Sequence, residues 1–215
     1  MSFKKRIAVS AHEERLEKLI NERLKPGANK ADKAKIDQKI WDLFGEDWCV
    51  MFTDLSGFSR NVAKFGIIHF LQTIFESQRM LVPILEDHEG ILLKTEGDSF
   101  LVIFRNPAKA LQAAIAMENE LTRYNLDKSA EEKVLLSVGI GFGHVLRIGD
   151  EDVFGAEVNA SSKLGEDIAK AGEILVTESF KKELGKLKIN GIKFVEIKDK
   201  PPGAKKAFRI DILER

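Results

Sequence analysis

The first 45 residues contain two stretches in which apolar residues recur at helical spacing, which predicts amphipathic helices over 11–25 and 30–44. The apolar positions are Leu16, Leu19, Ile20 and Leu24 in the first stretch and Ile36, Ile40, Leu43 and Phe44 in the second. Pro26 and Gly27 separate the two helices, and Gly45 ends the second. Each apolar stripe needs a surface to cover it. The sequence therefore predicts a helical arm over 1–45, either a lid on its own domain or a dimerising or regulatory arm.

From Trp48 onward the pattern alternates between short apolar runs, typical of strands, and longer stretches of helical period. The predicted order is a strand at 48–54, a helix at 59–88, a hairpin at 90–104, a helix at 106–125, a strand at 134–149, a helix at 157–172, a strand at 173–178, and strands at 192–198 and 206–212. This order predicts an α+β domain over 46–215. Its core is a ferredoxin-like βαββαβ sandwich with C-terminal additions, and its helices cover one face of the sheet.

Composition narrows the class of protein. Lys plus Arg number 34, as do Asp plus Glu, and this balance argues against binding nucleic acid through a basic surface. The single cysteine, Cys49, cannot form an internal disulfide and favours a reducing, cytoplasmic setting. The sequence shows neither an apolar run of membrane-spanning length nor a signal peptide. A soluble intracellular protein with no membrane span is therefore expected.

Two acidic residues interrupt apolar runs. Asp54 ends the strand in CVMFTDLSGFS, and Asp98 lies at the tip of the hairpin in GILLKTEGDSFLVIF. In a split βαββαβ sheet the first strand lies beside this hairpin, and neighbouring strands are about 5 Å apart. Two ionised acids that meet repel each other unless a cation lies between them, and their hard oxygen atoms suit Mg²⁺. Alternatively, Asp54 caps the following helix and Asp98 serves the turn; the pair together favours a metal site.

Four motifs resemble those of a known family. FTDLSGF, LLKTEGDSFL, VGIGFGHV and DVFGAEVNASSKL, in this order and spacing, resemble the catalytic domain of class III nucleotidyl (adenylate or guanylate) cyclases. The likeness covers the chain from about Trp48 and leaves out the arm. It implies a head-to-tail homodimer with composite active sites. In each site Asp54 and Asp98 of one protomer, with the carbonyl of Leu55, would bind two Mg²⁺ or Mn²⁺ ions. One ion would help the ribose 3′-hydroxyl lose its proton, and the other would hold the triphosphate.

The resemblance also implies a base-reading pair from the other protomer. Lys94 and Asp152 fall where adenylate-forming members carry a lysine and an aspartate. Adenine offers an acceptor at N1 and a donor amino group at N6, which a lysine and a carboxylate complement, whereas guanine presents the opposite polarity. A mismatched polar group left unpaired makes such a site selective. This favours ATP as the substrate. The alternatives are a solvated strand-end lysine and an acid in a turn.

Asn159 and Lys163 lie four residues apart on a predicted helix and therefore face the same side. Family members commonly place an asparagine and an arginine here, to orient the ribose and to stabilise charge on the transferring phosphate. Lysine keeps the charge but loses the two-point grip of a guanidinium. A slower enzyme, a site with altered geometry and a plain surface lysine all remain open.

Two further residues fall near the expected triphosphate. His144 stands where some relatives carry an arginine, and we expect it to be structural. Lys200 resembles the family's late phosphate-contacting lysine, although Lys198 or Lys205 could take that role.

The leading hypothesis is a homodimeric adenylate cyclase that converts ATP to 3′,5′-cyclic AMP and pyrophosphate. A catalytically silent cyclase-like module that binds nucleotide and regulates a partner is the main alternative, motivated by Lys163 and His144. A cyclase acting on GTP or a pyrimidine nucleotide is another. The arm is expected to control dimer geometry.

Overall fold

The structure, a computed structural model, describes residues 11–27, 29–56, 66–129, 132–187 and 189–213. Its helices are α1 (Ala11–Arg23), α2 (Lys30–Phe44), α3 (Ile67–Asp87), α4 (Pro107–Tyr124), α5 (Ala156–Ser162), a π-helix (Lys163–Ile168) and α6 (Glu178–Gly185). Its strands are β1 (Gly45–Leu55), β2 (Ile91–Glu96), β3 (Ser99–Phe104), β4 (Leu136–Ile148), β5 (Asp152–Phe154), β6 (Ile174–Thr177), β7 (Ile192–Glu196) and β8 (Ala207–Ile212). Within these ranges, no helix has the length and apolar character that crossing a membrane requires.

The predicted α+β fold is confirmed. The strands form one sheet in the order β2-β3-β1-β4-β6-β8-β7, and β5 pairs with β4 off this path. β1 lies between β3 and β4 and runs antiparallel to both, whereas β4 and β6 are parallel. The end of β1 therefore lies beside the β2–β3 hairpin, as the βαββαβ order requires.

The main core lies between one face of the sheet and α3, α4 and α6. Alternate residues of β1, such as Cys49 and Met51, point into it and are fully buried. Asn106 caps α4 by accepting a bond from the N–H of Ala108, and Pro107 occupies the first turn, where proline is tolerated. The pattern of strand alternation and helical period thus predicts the strands, α3 and α4 of this face, whereas α6 was not predicted.

The prediction that helices cover only one face of the sheet is wrong, because a helix also packs on the opposite face. There α5 packs Val158 against Trp48 and Val50 of β1. The close approach depends on glycine, because a Cβ built on Gly139 of β4 would lie 2.2 Å from the carbonyl oxygen of Ser161. Glycine at alternate positions of β4 thus lets a helix backbone contact the sheet directly.

The helix predicted over 157–172 is also corrected. It changes from α to π geometry at Lys163 and ends at Ile168. The wide turn presses Gly165 against β1, where a Cβ would lie 2.7 Å from the carbonyl oxygen of Phe52. The Ser137 hydroxyl lies 2.8 Å from the Gly165 carbonyl oxygen and so anchors the turn to β4. π-turns of this kind occur frequently at functional sites.

The sequence analysis did not predict two short elements. Glu178, predicted as a strand residue, opens α6, because Thr177 accepts a bond from the N–H of Phe180 and caps a helix there. Residues 152–154, to which the sequence analysis assigned no element, form β5. Residues 59–65 of the helix predicted over 59–88 lie outside the described residues, and α3 begins at Ile67.

The N-terminal arm, defined here as α1 and α2, packs on its own domain. Ile36, Ile40 and Phe44 of α2 form a buried cluster with Ile148 of β4, and Leu16 of α1 lies against it. Asn29 caps α2 reciprocally with Asp32. Leu24 and Leu43, assigned to the apolar stripes, are exposed. Residues 1–10 and 28 of the predicted arm lie outside the described residues, and the division into 1–45 and 46–215 stays a prediction.

Glu118 of α4 should make stability depend on pH. Its Oε1 is buried without a hydrogen-bond partner among the described residues, and burial raises the pKa of the carboxyl from 4.5 to about 7. Because the folded state favours the protonated form, the free energy of unfolding should fall as pH rises from about 4.5 to about 7. Glu118→Gln should raise the stability by roughly 2 kcal/mol at about pH 8 and have little effect near pH 4.

Urea unfolding at both pH values measures this difference. Glu120→Gln, on the same helix with an ion pair to Arg123, serves as the control and should show no such pH dependence. Equal effects of Glu118→Gln at the two pH values would contradict the assignment.

Candidate active site

The two predicted acids lie close together at one end of the sheet. Asp54 is the penultimate residue of β1, and its Oδ1 accepts a bond from the hydroxyl of Ser99 at 3.2 Å. Asp98, in the β2–β3 turn, directly precedes Ser99. Burial and then the charge of Asp98 raise the pKa of Asp54 to about 6, against the lowering effect of the bonds from Ser99 and from the backbone of Leu55. Burial also raises the pKa of Asp98.

The chemistry of these acids fits a hard divalent cation. Both partly buried carboxylates have raised pKa values, and no basic side chain among the described residues contributes to either pKa. A cation between the two acids would supply a compensating positive charge. The hydrocarbon side chain of Leu55 has no ligating atom, so only its backbone carbonyl oxygen could serve as a further ligand. Among the described residues, no three acidic, histidine or cysteine side chains form a metal site by themselves. Water or phosphate oxygens would therefore complete the shell, as Mg²⁺ usually requires.

The predicted base-reading residues contact each other. Lys94 Nζ of β2 lies 2.5 Å from Asp152 Oδ2 of β5, and this bond raises the pKa of Lys94. The other oxygen, Asp152 Oδ1, accepts a bond from the N–H of Val153 at 2.9 Å. The residues are 58 positions apart in sequence, and the pairing of β5 with β4 brings them together.

A cavity adjoins this pair. Its lining residues are Phe52, Lys94, Glu96, Ser99, Phe100, Leu101, Asp152, Val158 and Glu166. Aromatic and aliphatic side chains form its walls, and the Lys94–Asp152 pair supplies a donor and an acceptor. Ser99, which bonds Asp54, lies on the same lining. The cavity therefore offers apolar walls and polar groups for a flat heterocycle beside the acidic end of the sheet.

Glu166 was missed by the sequence analysis, which treated its segment as an ordinary charged helix end. The π-helix brings its side chain to the cavity, where it accepts a bond from the hydroxyl of Ser162. Its charge contributes to the raised pKa of Asp54. The spacing of an α-helix does not predict that Glu166 faces the cavity, because the π-turn changes which residues lie on the same side of the helix.

Asn159 and Lys163 lie on the exposed surface of α5 and at the start of the π-helix. Lys163 Nζ lies 2.8 Å from Asp167 Oδ2, and both side chains are about half exposed. Neither Asn159 nor Lys163 is among the described residues that line the cavity. Asn159 directly follows Val158, which does line the cavity, so the helix that carries Asn159 adjoins the base-reading residues.

His144 has the structural role that we expected. Its Nδ1 lies 2.8 Å from Asp47 Oδ1, and its ring stacks on Trp41 of α2 with centroids 5.2 Å apart. It thus ties β4 to the arm.

Lys200 is exposed in the loop between β7 and β8, as are its alternatives Lys198 and Lys205. In the same loop, Lys206 bonds Glu196 at 3.0 Å.

The fold, together with the acids at the end of β1 and the pair beside the cavity, has the form expected of a class III nucleotidyl cyclase catalytic domain. Residues 45–210 match the family described as the adenylate and guanylate cyclase catalytic domain. The match spans more than half of the chain, and the chain belongs to this family. The resemblance inferred from the four motifs is confirmed.

Two curated relatives match over part of their length. The serine/threonine-protein kinase pkn2 of Myxococcus xanthus is 28% identical over 130 residues, which make up 60% of this chain and 15% of that protein. A Rhizobium meliloti (strain 1021) protein provisionally named adenylate cyclase 3 is 25% identical over 129 residues, or 60% of this chain and 22% of that protein. The chain thus spans less than a quarter of either relative.

Solved structures of both cyclase types share the fold. The adenylyl cyclase CyaB from P. aeruginosa aligns with a TM-score of 0.63 and 18% identity, covering 80% of this chain and 96% of that one. The guanylate cyclase domain of RhGC from Catenaria anguillulae, in complex with GTP, aligns with a TM-score of 0.63 and 15% identity, covering 79% of this chain and 98% of that one. The chain is therefore similar in fold to cyclases of both specificities.

Proposed function

We propose that this protein is an adenylate cyclase that converts ATP to 3′,5′-cyclic AMP and pyrophosphate at composite sites of a homodimer. The observation that carries the proposal is the contact between Lys94 and Asp152 at the wall of the cavity. The buried free thiol of Cys49 supports a cytoplasmic setting, which is part of the proposal.

The pair has unused hydrogen-bonding capacity that suits adenine. A lysine ammonium has three N–H donors, of which Lys94 uses one on Asp152. Each carboxylate oxygen of Asp152 has accepted one bond and can accept another. Lys94 can therefore donate to adenine N1 while Asp152 accepts from the N6 amino group. Phe52 and Val158 would enclose the two faces of the ring.

Asp54 and Asp98 are the residues that would hold the divalent cations, with the carbonyl of Leu55. Mg²⁺ or Mn²⁺ bound there would supply charge neutralisation for the triphosphate and would lower the pKa of the ribose 3′-hydroxyl. Ser99 orients the Asp54 carboxylate through its hydroxyl bond. Because the attack on the α-phosphate is intramolecular, positioning of the nucleotide supplies much of the acceleration.

A second copy of the chain would complete each site. Asn159 and Lys163 are exposed and could therefore face such an interface. As the resemblance implies, Asp54 and Asp98 of one protomer would meet Lys94 and Asp152 of its partner there. In the proposed dimer Asn159 orients the ribose and Lys163 stabilises charge on the transferring phosphate. Lys200 is proposed to contact the triphosphate.

Replacing Lys163 with arginine should raise kcat. A guanidinium can grip two phosphate oxygens at once, whereas an ammonium acts as a point charge, and we expect a gain of about threefold to tenfold. The measurement is cyclic AMP formation at saturating ATP. Lys170→Arg, an exposed lysine just beyond the π-helix, is the matched control and should change nothing. An unchanged kcat for Lys163→Arg would show that the second point of contact contributes nothing here, and a lower kcat would show that this site requires lysine.

One alternative base is favoured by a specific observation. Glu96 and Glu166 add two carboxylates to the cavity lining, and guanine presents donors at N1 and at its 2-amino group. A guanylate cyclase is therefore the second candidate. The pairing of Lys163 with Asp167 favours a third, a silent module that binds nucleotide without turnover.

Parallel assays with ATP, GTP, CTP and UTP in the presence of Mn²⁺ test these candidates. We expect cyclic AMP and pyrophosphate in equal amounts, a lower rate with the other nucleotides, and no product after chelation by EDTA. A higher rate with GTP or a pyrimidine nucleotide would overturn the choice of base. Mn²⁺-dependent ATP binding without product would support the silent module. Neither binding nor product would overturn the proposal altogether.

A further inference from the structure

The N-terminal arm contacts the end of β4 that leads to Asp152. Ile36, Ile40 and Phe44 of α2 share one buried cluster with Ile148, the last residue of β4. Ile40 and Ile148 are only 6% and 7% exposed. Ile148, four residues before Asp152, is therefore almost fully buried, and α2 forms part of its cover.

Strand pairing links Ile148 to Asp152. β5 is three residues long and pairs with β4, where Ile148 lies directly opposite Asp152. Directly opposed residues in antiparallel strands are about 5 Å apart, and their side chains interact. So short a strand depends on its neighbour for its position. A shift of Ile148 should therefore shift Asp152.

The turn between the two strands is held as a unit. Arg147 Nε donates to the carbonyl oxygen of Gly149 at 3.2 Å, and its terminal nitrogen donates to Asp150 at 2.8 Å. The Arg147 guanidinium also lies over the Trp48 ring, 4.9 Å from its centroid. The end of β4, the turn and β5 are thus bound together, and α2 packs on one side of this unit.

We propose that Ile148 is a positioning residue through which α2 sets the place of Asp152. Docking of the arm thereby controls the affinity and base selectivity of the nucleotide site. This inference rests on the proposed function, because it takes Lys94 and Asp152 to be the base-reading pair. It gives the arm a role inside one protomer, separate from any control of dimer geometry.

Loosening the arm should affect binding of the base more than chemistry at the phosphate. Asp152 would move away from Lys94, so the base contacts weaken. Asp54 lies at the end of β1 remote from α2, and Asp98 lies in the β2–β3 turn, so the acids should keep their positions. An interaction that binds ground state and transition state equally changes KM and leaves kcat in place. The expected signature is a raised KM with a largely unchanged kcat.

Hydrogen exchange of the full chain tests the mechanical link without any nucleotide. Ile40→Ala, which opens a cavity under Ile148, should lower the protection of the backbone amides in 152–154. Ile148→Val, a milder change, should lower it less. Leu43→Ala on the same helix, where the side chain is exposed, should leave protection unchanged. Leu121→Ala, buried in the main core, controls for general loss of stability.

Nucleotide binding tests the consequence. Titration of a non-hydrolysable ATP analogue with Mn²⁺ should give a Kd about tenfold higher for Ile40→Ala and unchanged for Leu43→Ala and Leu121→Ala. The ratio of ATP to GTP affinity should fall in Ile40→Ala as well. In an Asp152→Asn background, Ile40→Ala should have no further effect on that ratio, because both changes act through one residue.

The outcomes separate the two proposals. Unchanged protection of 152–154 in both Ile40→Ala and Ile148→Val would overturn the link, even in an active cyclase. Changed protection with unchanged Kd would overturn the control of affinity. An original protein that binds no nucleotide would overturn the proposed function and the affinity claim together, and hydrogen exchange would still decide the mechanical link.

Discussion

Replacing Asp54 with asparagine should lower kcat for cyclic AMP formation by about 10³-fold or more and leave the fold intact. Asparagine keeps the shape of the side chain and its bond from Ser99, but it cannot balance the charge of a divalent cation. Burial and the charge of Asp98 raise the pKa of Asp54 to about 6, so the ionised carboxylate is unfavourable in the free protein. Asp54→Asn should therefore unfold at the same temperature as the original protein or higher.

Loss of activity without loss of stability distinguishes a functional acid from a structural one. Thermal unfolding at neutral pH, Mn²⁺ titration and the cyclase assay measure the three quantities on one preparation. Asp47→Asn is the matched control, because Asp47 lies on the same strand, is exposed and bonds His144. It should keep activity within about twofold, as surface substitutions do little. A destabilised or fully active Asp54→Asn would each contradict the metal assignment.

The double variant Lys94→Glu with Asp152→Cys should shift the preference from ATP towards GTP. The ratio of kcat/KM for ATP to that for GTP should fall by about 10²-fold or more, since sites built on hydrogen bonds reject a base that leaves them unpaired. A carboxylate at 94 accepts from guanine N1–H and the 2-amino group. The thiol at 152 removes the carboxylate that would face the acceptor O6 of guanine, and it can donate a weak hydrogen bond to that oxygen.

Comparison with single variants sharpens this experiment. Lys94→Glu alone would replace the 2.5 Å ion pair with two carboxylates that repel each other. It should therefore lower kcat/KM for both ATP and GTP. Lys193 is an exposed lysine on β7, and Lys193→Glu makes the same change of charge outside the cavity lining. It should leave the ratio of kcat/KM for ATP to that for GTP unchanged. An unaltered ratio in the double variant would show that the base is read elsewhere.

Most of the fold follows from local patterns. The period of apolar residues predicts α2, α4 and the strands of the main core, because each of these buries one regular face. The glycines of β4 signalled a close backbone approach, but what approaches Gly139 is α5, which no local pattern shows. Whether a helix lies above or below a sheet depends on contacts between distant segments.

The candidate site was predictable to the extent that it lies on regular elements. Asp54 and Asp98 could be placed together because strand order follows from the βαββαβ pattern. β5 is too short to predict, so the contact between Asp152 and Lys94 came from the resemblance alone. Glu166 reaches the cavity through a π-turn, whose change of register depends on packing of Gly165 against Phe52.

Ser137 links the acidic end of β1 to the π-helix through a single hydroxyl group. Its oxygen lies 2.8 Å from the carbonyl oxygen of Gly165 and 3.3 Å from that of Asp54. A hydroxyl has one proton to donate, so the two carbonyls compete for it. A movement of either segment by a fraction of an ångström would shift the hydrogen bond from one carbonyl oxygen to the other. The hydroxyl would thereby couple the position of Asp54 to that of Gly165.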